Sequence, residues 1–476
     1  MKKILFVGAE AMPFAATGGL GDVLGSLPRA LCETGEAQVR VMLPLYRAVE
    51  EKWRAEMREV ATFEVALAWR RQCCTVRCLE HAGVSYYFID NAYYFDRDGL
   101  YGHYDDGERF AFFCMAALEA LAHIDFLPDV LHAHDWQAAL CAVYLETHFR
   151  KNPLYAGMQS VFTIHNIEYQ GRFSAAILGD VFALGEEERG RVEFAGDINL
   201  MKGAIVSAAR VSTVSPQYAK EICTPAFAHG LDGILRDNAH KLCGILNGID
   251  TEAYNPLTDG EIPCRYSARS PWRKTINKQA LQRELGLEER ADVPILAVVS
   301  RLAQHKGLDL VAQSAQALLS RDVQLVILGC GEARLEHFFR ELERNYPHRC
   351  VAYIGYDRAL ARRIYAAADV FLMPSQSEPC GLSQMIAARY GAIPVVHAVG
   401  GLFDSIQHFS CEKQKIVGNG VPFSEYSAAA MLQAVEQALT LLKNGDTCTR
   451  YIAKMMRHDF SWRRSALGYL ELYRQL

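Results

Sequence analysis

Residues 295–319 have the sequence ILAVVSRLAQHKGLDLVAQSAQALL, and this stretch contains one complete unit of the fold. Its first five residues are all aliphatic, which is typical of a strand buried on both faces of a sheet. From residue 308 the apolar residues recur three and four positions apart, and this spacing predicts an amphipathic helix over 308–319. A buried strand followed by a helix is the building unit of a parallel sheet that helices cover on both faces.

The same pattern extends in both directions along the chain. Further buried strands are predicted at 4–7, 39–43, 86–89, 130–133, 161–164, 324–328, 350–354, 370–373 and 393–396. Helices are predicted between several of these strands, at 110–122, 136–149, 332–346, 359–367 and 428–442. The segments 60–68 and 74–79 follow each other without a helix, so they predict an antiparallel insertion.

This repetition predicts an α/β fold of two doubly wound, Rossmann-like domains that face a central cleft. The segment 255–270 is rich in Pro, Asp, Ser and Thr and poor in aliphatic residues, so we expect a hinge near it. Because open α/β sheets bind ligands outside the carboxyl ends of their strands, the loops that follow the predicted strands are the candidate binding loops.

Composition and charge restrict the functional class. The chain has 476 residues, of which 50% are hydrophobic and 22% are charged, so disorder throughout is excluded. The net charge of −5 gives no electrostatic basis for nucleic-acid binding or for an anionic membrane surface. The apolar run before Glu10 is too short for a signal peptide, and no apolar stretch approaches the ~18 residues of a membrane span. We therefore expect a cytoplasmic protein.

The cysteines and histidines do not predict a metal site. The 14 cysteines are scattered along the chain, which fits a reducing compartment. The cluster Cys73, Cys74 and Cys78 has no second pair of ligands at zinc spacing, and a buried strand explains it better. His132 and His134 also lack evident third and fourth ligands. We expect no metal and no cofactor.

The first binding loop has the sequence ATGGLGD at 16–22. Successive glycines let the backbone approach a phosphate or a sugar, and the following helix start directs N–H groups at that ligand. A nicotinamide dinucleotide is disfavoured, because the spacing is not G-x-G-x-x-G and the second strand ends without a carboxylate for a ribose. A tight turn into a helix remains the structural alternative.

Two loops of the second half carry charged residues. Arg301 follows the strand at 295–299 and Lys306 precedes a helix, an arrangement that suits a diphosphate, although a pair of surface cations also fits the spacing. The sequence SQSEPCGLS at 375–383 places Glu378 before a helix that begins with free N–H groups. This carboxylate either contacts a ligand or serves as an N-terminal charge that the helix dipole favours.

Other residues of the first half suit a sugar ligand. His165 ends a predicted strand, where an imidazole either donates a hydrogen bond to a substrate hydroxyl or is satisfied within the core. The aromatic residues Tyr93, Tyr94, Phe95 and Tyr101 either stack on glucan rings or pack the insertion.

Specific motifs occur in order along nearly the whole chain. They are TGGLGDV at 17–23, YG at 101–102, DDGERF at 105–110, HDW at 134–136, FTIHNIEYQG at 162–171, TVSP at 213–216, LDG at 231–233, LNGID at 246–250, SRL at 300–302, KGLD at 306–309 and EPCGL at 378–382. Together they resemble glycosyltransferase family 5, the bacterial glycogen synthases and plant starch synthases, which have the two-domain GT-B fold. The resemblance implies an N-terminal acceptor domain at 1–245 with a return helix at 457–476, and a C-terminal donor domain at 246–456.

The resemblance implies a transferase that moves glucose from ADP-glucose to the non-reducing end of an α-1,4-glucan, such as glycogen or a malto-oligosaccharide, with retention. The residues to which it assigns catalysis are Glu378, which contacts sugar hydroxyls, His165, which hydrogen-bonds the glucosyl 6-hydroxyl, and Arg301 and Lys306, which hold the diphosphate. Those that it assigns to donor binding are Ala16, Thr17, Gly18, Gly19, Asp135, Asn247, Cys380, Gly381 and Leu382. We assign acceptor binding to Tyr94, Phe95 and Tyr101.

The leaving group in this reaction is a nucleoside diphosphate, whose developing negative charge paired cations and helix N–H groups stabilise. No carboxylate pair stands out as a nucleophile and its partner, so we expect front-face attack in which the leaving phosphate accepts the proton of the glucan hydroxyl. Domain closure should exclude water from the donor.

The chain departs from the family pattern at three positions. Ala16 occupies the position of the family's Lys, 397–399 replaces Arg-x-Thr with HAV, and Gln376 replaces an Arg or a large apolar residue. Losing one charge-assisted contact costs roughly 1.5–3 kcal/mol. Two alternatives therefore stay open, namely a synthase that prefers UDP-glucose and a catalytically weakened paralogue that binds glucan.

Overall fold

The structure, a computed structural model, describes residues 1–412 and 415–476. The chain divides into two compact units, of which the first comprises Met1–Asn247 and Trp462–Leu476 and the second comprises Gly248–Ser461.

One large sheet forms the centre of the first unit. Its strands and those of a small side sheet are β1 (Lys2–Val7), β2 (Ala37–Pro44), β3 (Arg58–Leu67), β4 (Arg70–His81), β5 (Val84–Asp90), β6 (Val130–His134), β7 (Gln159–Ile164), β8 (Arg172–Ser174), β9 (Glu193–Phe194), β10 (Asp197–Asn199), β11 (Arg210–Thr213) and β12 (Leu242–Gly244). In the described chain the large sheet has the order β12-β11-β7-β6-β1-β2-β5-β4-β3. Its strands from β12 to β5 are parallel, whereas β4 is antiparallel to both β5 and β3.

The helices of the first unit connect and cover these strands. They are α1 (Gly19–Cys32), α2 (Glu51–Glu56), α3 (Ala92–Phe95), α4 (Asp106–Glu119), α5 (Asp135–Tyr144), α6 (Arg189–Val192), α7 (Leu200–Ser207), α8 (Pro216–Glu221) and α9 (Asp232–Asp237). Residues 4–7 of β1 and all of β6 are at most 1% exposed, as expected of central strands that helices cover on both faces. The antiparallel insertion is confirmed as the β3–β4 hairpin, whose two-residue turn joins Leu67 to its partner Arg70.

The second unit repeats this architecture on a smaller scale. Its strands are β13 (Ile295–Val299), β14 (Gln324–Gly329), β15 (Cys350–Ile354), β16 (Val370–Met373), β17 (Ile393–His397), β18 (Ser410–Glu412), β19 (Lys415–Val417) and β20 (Val421–Phe423). Its helices are α10 (Lys274–Glu284), α11 (Leu308–Leu319), α12 (Ala333–Asn345), α13 (Arg358–Ala367), α14 (Ser383–Arg389), α15 (Gly400–Ser405), α16 (Ala428–Leu442) and α17 (Gly445–Met455). The main sheet has the order β15-β14-β13-β16-β17-β20, all parallel, which confirms the doubly wound α/β prediction.

The segment 255–270 is anchored within the second unit, and the two units divide a few residues before it, between Asn247 and Gly248. Within the second unit, Tyr266 is fully buried and its hydroxyl donates to the backbone oxygen of Tyr390 over 2.7 Å. Asp259 is also buried, and its carboxylate pairs with Arg362 at 3.3 Å. Buried aromatic and charged anchors therefore fix a stretch that its polar composition alone made resemble a hinge.

The last helix, α18 (Trp462–Arg474), packs against α1 and belongs to the first unit. Ala466 and Tyr473 on this helix are fully buried. The hydroxyl of Ser465 donates to the backbone oxygen of Leu246 over 2.6 Å. The chain end thus completes the core of the unit in which the chain begins.

Candidate functional site

In each unit several of the predicted site residues follow the two strands between which the strand order reverses. These pairs are β1 and β6 in the first unit, and β13 and β16 in the second. Connections leave such a pair towards opposite faces of the sheet, which opens a crevice outside the carboxyl ends of the strands. Asp135 directly follows β6, while Arg301 and Glu378 follow β13 and β16. Each unit therefore presents its own set of polar residues at the expected edge.

Glu10, which follows β1, is a residue of this edge that the sequence analysis missed. Its side chain accepts hydrogen bonds from the N–H of Thr17 at 2.6 Å and of Gly18 at 3.2 Å. It also accepts from the hydroxyls of Thr17 and Tyr101, both at 2.7 Å. Glu10 is only 4% exposed and forms no ion pair within the described residues. This carboxylate therefore fixes the predicted binding loop, and an acid shortly after the end of a buried strand was its only sequence signal.

The loop that Glu10 fixes is exposed over residues 16–19. Gly18 has an extended backbone with a φ of −163°, and a Cβ built on Gly18 or Gly19 would meet nothing within 4 Å. In contrast, a Cβ on Gly21 would overlap that of Ala16. Neither backbone strain nor packing requires a glycine at position 18 or 19. The lack of a side chain at these two positions leaves open space beside the start of α1. A ligand that approaches the backbone closely would use that space.

Asp135 and His165 are brought together at the next strand ends. The Asp135 carboxylate accepts from the N–H of His165 at 2.7 Å and of Asn166 at 3.4 Å. Burial raises the pKa of Asp135 to about 7, and these two amide donors offset part of that rise. Asp135 also has a left-handed backbone with a φ of +57°, which is unusual outside glycine and typical of functional positions.

The imidazoles of the first unit form a buried group. A hydrogen bond of 3.0 Å joins Nδ1 of His134 to Nε2 of His165, and the rings of His132 and His134 stack with centroids 4.1 Å apart. Burial lowers the pKa of His165 to about 3 and lowers those of His132 and His134 well below their usual range. These rings are therefore neutral near pH 7, and His165 keeps its Nδ1 for a further hydrogen bond. Its Nε2 is already committed.

Asn247 ends the first unit with an unused acceptor. Its side chain is buried, and its Oδ1 has no hydrogen-bond partner in the described part of the chain. Buried polar atoms in native proteins are nearly always paired with protein, water or ligand, so this oxygen is available to accept a hydrogen bond.

The three aromatic residues assigned to acceptor binding differ in exposure, and the assignment of Tyr94 and Phe95 is corrected. Tyr94 and Phe95 are fully buried and pack against Phe112, with ring centroids 4.8 and 6.3 Å away. Neither ring has a free face for a sugar, so their role is to pack the insertion. Tyr101 remains partly exposed beside the binding loop through its bond to Glu10.

Lys306 and Glu378 are brought together in the second unit. Nζ of Lys306 lies 3.0 and 2.8 Å from the two carboxylate oxygens of Glu378, and the hydroxyl of Ser375 donates to the same carboxylate over 2.9 Å. His397 departs from the family's arginine, and its Nδ1 lies 2.8 Å from the backbone oxygen of Ser375. The imidazole thus ties the end of β17 to the loop that carries Glu378.

The EPCGL segment forms a turn before α14. The amide of Gln384 donates to the backbone oxygens of Cys380 at 3.2 Å and Gly381 at 2.9 Å. No hydrogen bond within the described residues takes up the N–H groups of Gly381 and Leu382. These amides therefore remain available to an anion at the start of the helix.

Arg301 stands apart from the ion pair. Its side chain is exposed and forms no hydrogen bond or ion pair within the residues that the structure describes. The backbone beside it is fixed, because the N–H of Leu302 donates to Cys330 over 2.9 Å and the carbonyl of Leu302 accepts from Glu332 over 2.7 Å. Arg301 is thus a cation on a rigid loop without an internal partner.

The described residues contain no group of three or more His, Cys, Asp or Glu side chains arranged to hold a metal ion. Across 1–412 and 415–476, no helix has both the length and the apolar character needed to cross a bilayer.

Known proteins are similar to this chain along its whole length. Residues 3–237 match the starch synthase catalytic domain family, and residues 279–455 match the glycosyl transferases group 1. The chain is 47% identical to the glycogen synthase of Geobacillus stearothermophilus over 476 residues, which cover 100% of this chain and 98% of that protein. It is 46% identical to the glycogen synthase of Ligilactobacillus salivarius (strain UCC118), with both chains covered completely.

Solved structures give the same picture. The catalytic domain of Starch Synthase IV from Arabidopsis thaliana, bound to ADP and acarbose, matches with a TM-score of 0.91 and 33% identity. That match covers 100% of this chain and 99% of the plant chain. A sucrose-phosphate synthase from Thermosynechococcus elongatus matches with a TM-score of 0.62 at 18% identity and shares the fold.

Proposed function

The chain belongs to the glycogen synthase family of glycosyltransferases, and from this premise we propose that it transfers glucose from ADP-glucose to the non-reducing end of an α-1,4-glucan with retention. The observation that carries the proposal is the Lys306–Glu378 pair, with both N···O distances at or below 3.0 Å, at the strand-order reversal of the second unit. A cation and a carboxylate held side by side provide one group for a phosphate and one for sugar hydroxyls.

We assign the donor to the second unit, Gly248–Ser461. Lys306 and the unpaired Arg301 neutralise the charge that develops on the departing diphosphate, and the N–H groups of Gly381 and Leu382 add fixed dipoles. Because these groups are positioned before the reaction, no reorganisation is needed when the bond breaks. Glu378 orients the glucose through its hydroxyls while its charge stays balanced by Lys306.

We assign sugar contacts and the acceptor to the first unit, Met1–Asn247 and Trp462–Leu476. His165 donates to a glucosyl hydroxyl through its remaining nitrogen, and Oδ1 of Asn247 accepts from another. The open backbone at Gly18 and Gly19 receives the donor closely. Tyr101 lies beside that loop on the acceptor side.

In the proposed reaction the glucan hydroxyl attacks the anomeric carbon on the face from which the diphosphate leaves. The carbon–oxygen bond to the phosphate breaks, the new glycosidic bond forms, and the leaving phosphate accepts the hydroxyl proton. Retention follows from attack on the departing face. The fourteen free thiols support the cytoplasm as the compartment of this activity.

Donor choice is the finer part of the proposal. A plant starch synthase of 33% identity was solved with ADP, which supports an adenine nucleotide, while Ala16 at the family's lysine position favours testing UDP-glucose as the rival. Initial rates should be measured with each donor on maltoheptaose and on glycogen. We expect chain extension with ADP-glucose at a kcat/KM at least tenfold above that with UDP-glucose.

Equal or reversed rates would contradict the donor assignment but leave the transferase intact. If neither donor extends either acceptor while the protein still binds glycogen, the weakened paralogue replaces the synthase.

A further inference from the structure

His134 is a buried polar residue that the proposed reaction does not use. It ends β6, its side chain is fully buried, and its ring packs against those of Phe6 and His132, with centroids 4.7 and 4.1 Å away. The one hydrogen bond of its side chain within the described residues joins Nδ1 to Nε2 of His165 over 3.0 Å. Because a fully buried ring cannot touch a substrate, the polar character of His134 acts on the reaction only through His165.

The other ring nitrogen of His134 has no partner. Nε2 is buried and lacks a hydrogen bond in the part of the chain that the structure describes. His132, two residues earlier on the same strand, provides a contrast, because its Nδ1 and Nε2 lie 2.7 and 2.6 Å from the hydroxyls of Tyr473 and Thr163. A hydroxyl either donates or accepts, so these partners leave the tautomer of His132 open. The unpaired Nε2 of His134 is more restrictive.

Two arrangements of protons satisfy the hydrogen bond between His134 and His165. Burial lowers the pKa of both rings, so each is neutral near pH 7 and carries one N–H. Either Nδ1 of His134 donates to Nε2 of His165, or Nε2 of His165 donates to Nδ1 of His134. The second arrangement places the N–H of His134 on its buried Nε2 without an acceptor, and orphaned N–H groups are rare in folded proteins. The first arrangement leaves only a lone pair unpaired there and is therefore favoured.

The favoured arrangement decides what His165 offers to a ligand. With Nε2 as the acceptor, the proton of His165 lies on Nδ1, which has no partner within the described residues and belongs to a partly exposed side chain. The backbone N–H of His165 donates to Asp135 over 2.7 Å, which fixes the residue that carries the ring. His165 therefore presents an N–H donor, rather than a bare acceptor, at the carboxyl end of β7.

We propose that His134 is a positioning residue that selects the Nδ1–H tautomer of His165, so that His165 donates a hydrogen bond to the 6-hydroxyl of the transferred glucose. The sugar contact rests on the proposed function, whereas the tautomer exists before any substrate binds. The proton of a neutral imidazole is shared between its two nitrogens unless a partner fixes it. Without His134, part of the enzyme would present an acceptor at Nδ1, and the hydrogen bond to the sugar would no longer be prepared in advance.

The first experiment observes the tautomer directly. In protein labelled with ¹⁵N-histidine, the protonated and unprotonated ring nitrogens of a neutral imidazole have well separated ¹⁵N chemical shifts. The resonances that disappear in His165→Asn identify this residue among the 15 histidines. We expect the parent chain without substrate to carry the proton of His165 on Nδ1. His134→Phe keeps a buried ring but removes the hydrogen bond, so it should give a mixture of both tautomers at His165.

The second experiment separates the tautomer from packing. Initial rates are measured with ADP-glucose and with ADP-6-deoxyglucose, which lacks the hydroxyl that His165 is proposed to meet. We expect His134→Phe to lower kcat/KM for ADP-glucose about fivefold, the worth of one neutral hydrogen bond, and that for the deoxy donor less than twofold. A packing defect would lower both values. His134→Asn keeps an amide N–H for Nε2 of His165 and should stay within about twofold of the parent chain.

His132→Phe is the matched control. It removes an imidazole of equal burial from the same strand, leaves a flat ring for His134 to stack on, and breaks no hydrogen bond of His165. We expect both Phe variants to lower the unfolding temperature. His132→Phe should nevertheless leave the tautomer of His165 and the ratio of the two kcat/KM values as they are in the parent chain, and a change equal to that of His134→Phe would overturn the proposal.

The proposal is also overturned if the proton of His165 lies on Nε2 in the parent chain, or if it stays entirely on Nδ1 in His134→Phe. An equal loss of kcat/KM for both donors in His134→Phe has the same consequence. Should a Phe variant not fold, the spectrum of the parent chain and the two rates of His134→Asn still decide. If the tautomers are as expected but the parent chain transfers no glucose, the proposed function is refuted while the selection of the tautomer by His134 stands.

Discussion

The sequence Gly-Gly-Leu occurs after a strand end in both units, and the two copies do opposite things. At Gly18 and Gly19 there is open space where a Cβ would point. At Gly400 and Gly401 a Cβ would overlap the backbone oxygens of Glu378 and Cys380. The missing side chains of the first pair leave room for a ligand, whereas those of the second pair let another stretch of backbone approach closely. The Gly-Gly-Leu motif therefore indicates that something approaches the backbone closely, but it does not distinguish a ligand from another part of the chain.

The two copies also differ in how a buried glutamate organises them. Glu10 uses its carboxylate to hold the N–H groups of Thr17 and Gly18 directly. Glu378 instead uses its backbone oxygen to accept from Gly401 at 3.1 Å, and its carboxylate stays paired with Lys306. The carboxylate of Glu10 thus holds its loop, whereas the backbone of Glu378 holds the turn and its carboxylate, paired with Lys306, remains available for the reaction.

Removing the charge of Lys306, at the strand-order reversal of the second unit, should have the largest effect. We expect Lys306→Gln to lower kcat/KM about 10²- to 10³-fold, because a preorganised charge on the leaving group is lost. Initial rates at varied ADP-glucose measure this. Arg283→Gln, which removes an exposed cation of the same unit, is the control and should change kcat/KM less than twofold. A comparable loss in both variants would show that net charge, rather than the Lys306 contact, determines the rate.

The two glycine pairs should separate stability from activity. We expect Gly401→Ala to destabilise the protein by about 3 kcal/mol, because the added methyl meets backbone that has nowhere to move. Gly18→Ala should change stability by less than about 1 kcal/mol, because its methyl enters open space. Urea denaturation and donor KM, measured on both variants, make the comparison. Donor KM should rise about tenfold for Gly18→Ala, and equal losses of stability would remove the distinction.

Neutralising Glu10 should destabilise the loop at residues 16–19, which its carboxylate holds. Glu10→Gln removes the negative charge that the N–H groups of Thr17 and Gly18 face, and the hydroxyls of Thr17 and Tyr101 must turn to accept from the new amide. Each lost charge-assisted hydrogen bond costs roughly 1.5–3 kcal/mol, so we expect donor binding to fall about tenfold or more. Isothermal titration with ADP measures it. The control is Glu33→Gln on the exposed end of α1, and unchanged ADP binding in Glu10→Gln would exclude an organising role.

Long apolar runs and amphipathic spacing predicted the fold closely, because buried parallel strands have little freedom of sequence. The helices at 308–319 and 428–442 begin and end where they were predicted, and the family resemblance is confirmed along the full chain. The anchors of the segment 255–270 could not be predicted, because Tyr266 and Asp259 are buried singly within polar sequence and leave no periodic signal.

The site was less predictable than the fold. Charged residues in glycine-containing loops pointed to Lys306 and Glu378, since few structural roles need them there. Glu10 escaped notice because its function depends on partners that lie 7 and 91 positions away along the chain. Tyr94 and Phe95 show the same limit for aromatic residues, because burial is a property of the whole fold and the sequence left stacking on a ligand and packing of the insertion both open.

The smallest predicted effect concerns the titration of Asp135, which follows β6 in the first unit. Between about pH 4 and pH 6.5 the folded chain keeps a proton on Asp135, whose pKa is raised to about 7, and the unfolded chain does not. This proton stabilises the fold as the pH falls. Burial keeps His132, His134 and His165 neutral in the folded chain, so these three destabilise the fold over the same range. The histidines outnumber the aspartate, so the parent protein should lose stability on acidification.

Asp135→Asn keeps an acceptor for the N–H of His165 but removes the opposing proton. We therefore expect the variant to lose stability more steeply than the parent as the pH falls, by about 1.4 kcal/mol for each pH unit. Urea denaturation at pH 5, 6 and 7 measures the slope, with Asp237→Asn as an exposed control. Parallel slopes for the parent and Asp135→Asn would mean that Asp135 is ionised throughout, and its carboxylate would then act at this edge as a permanent charge beside Glu10.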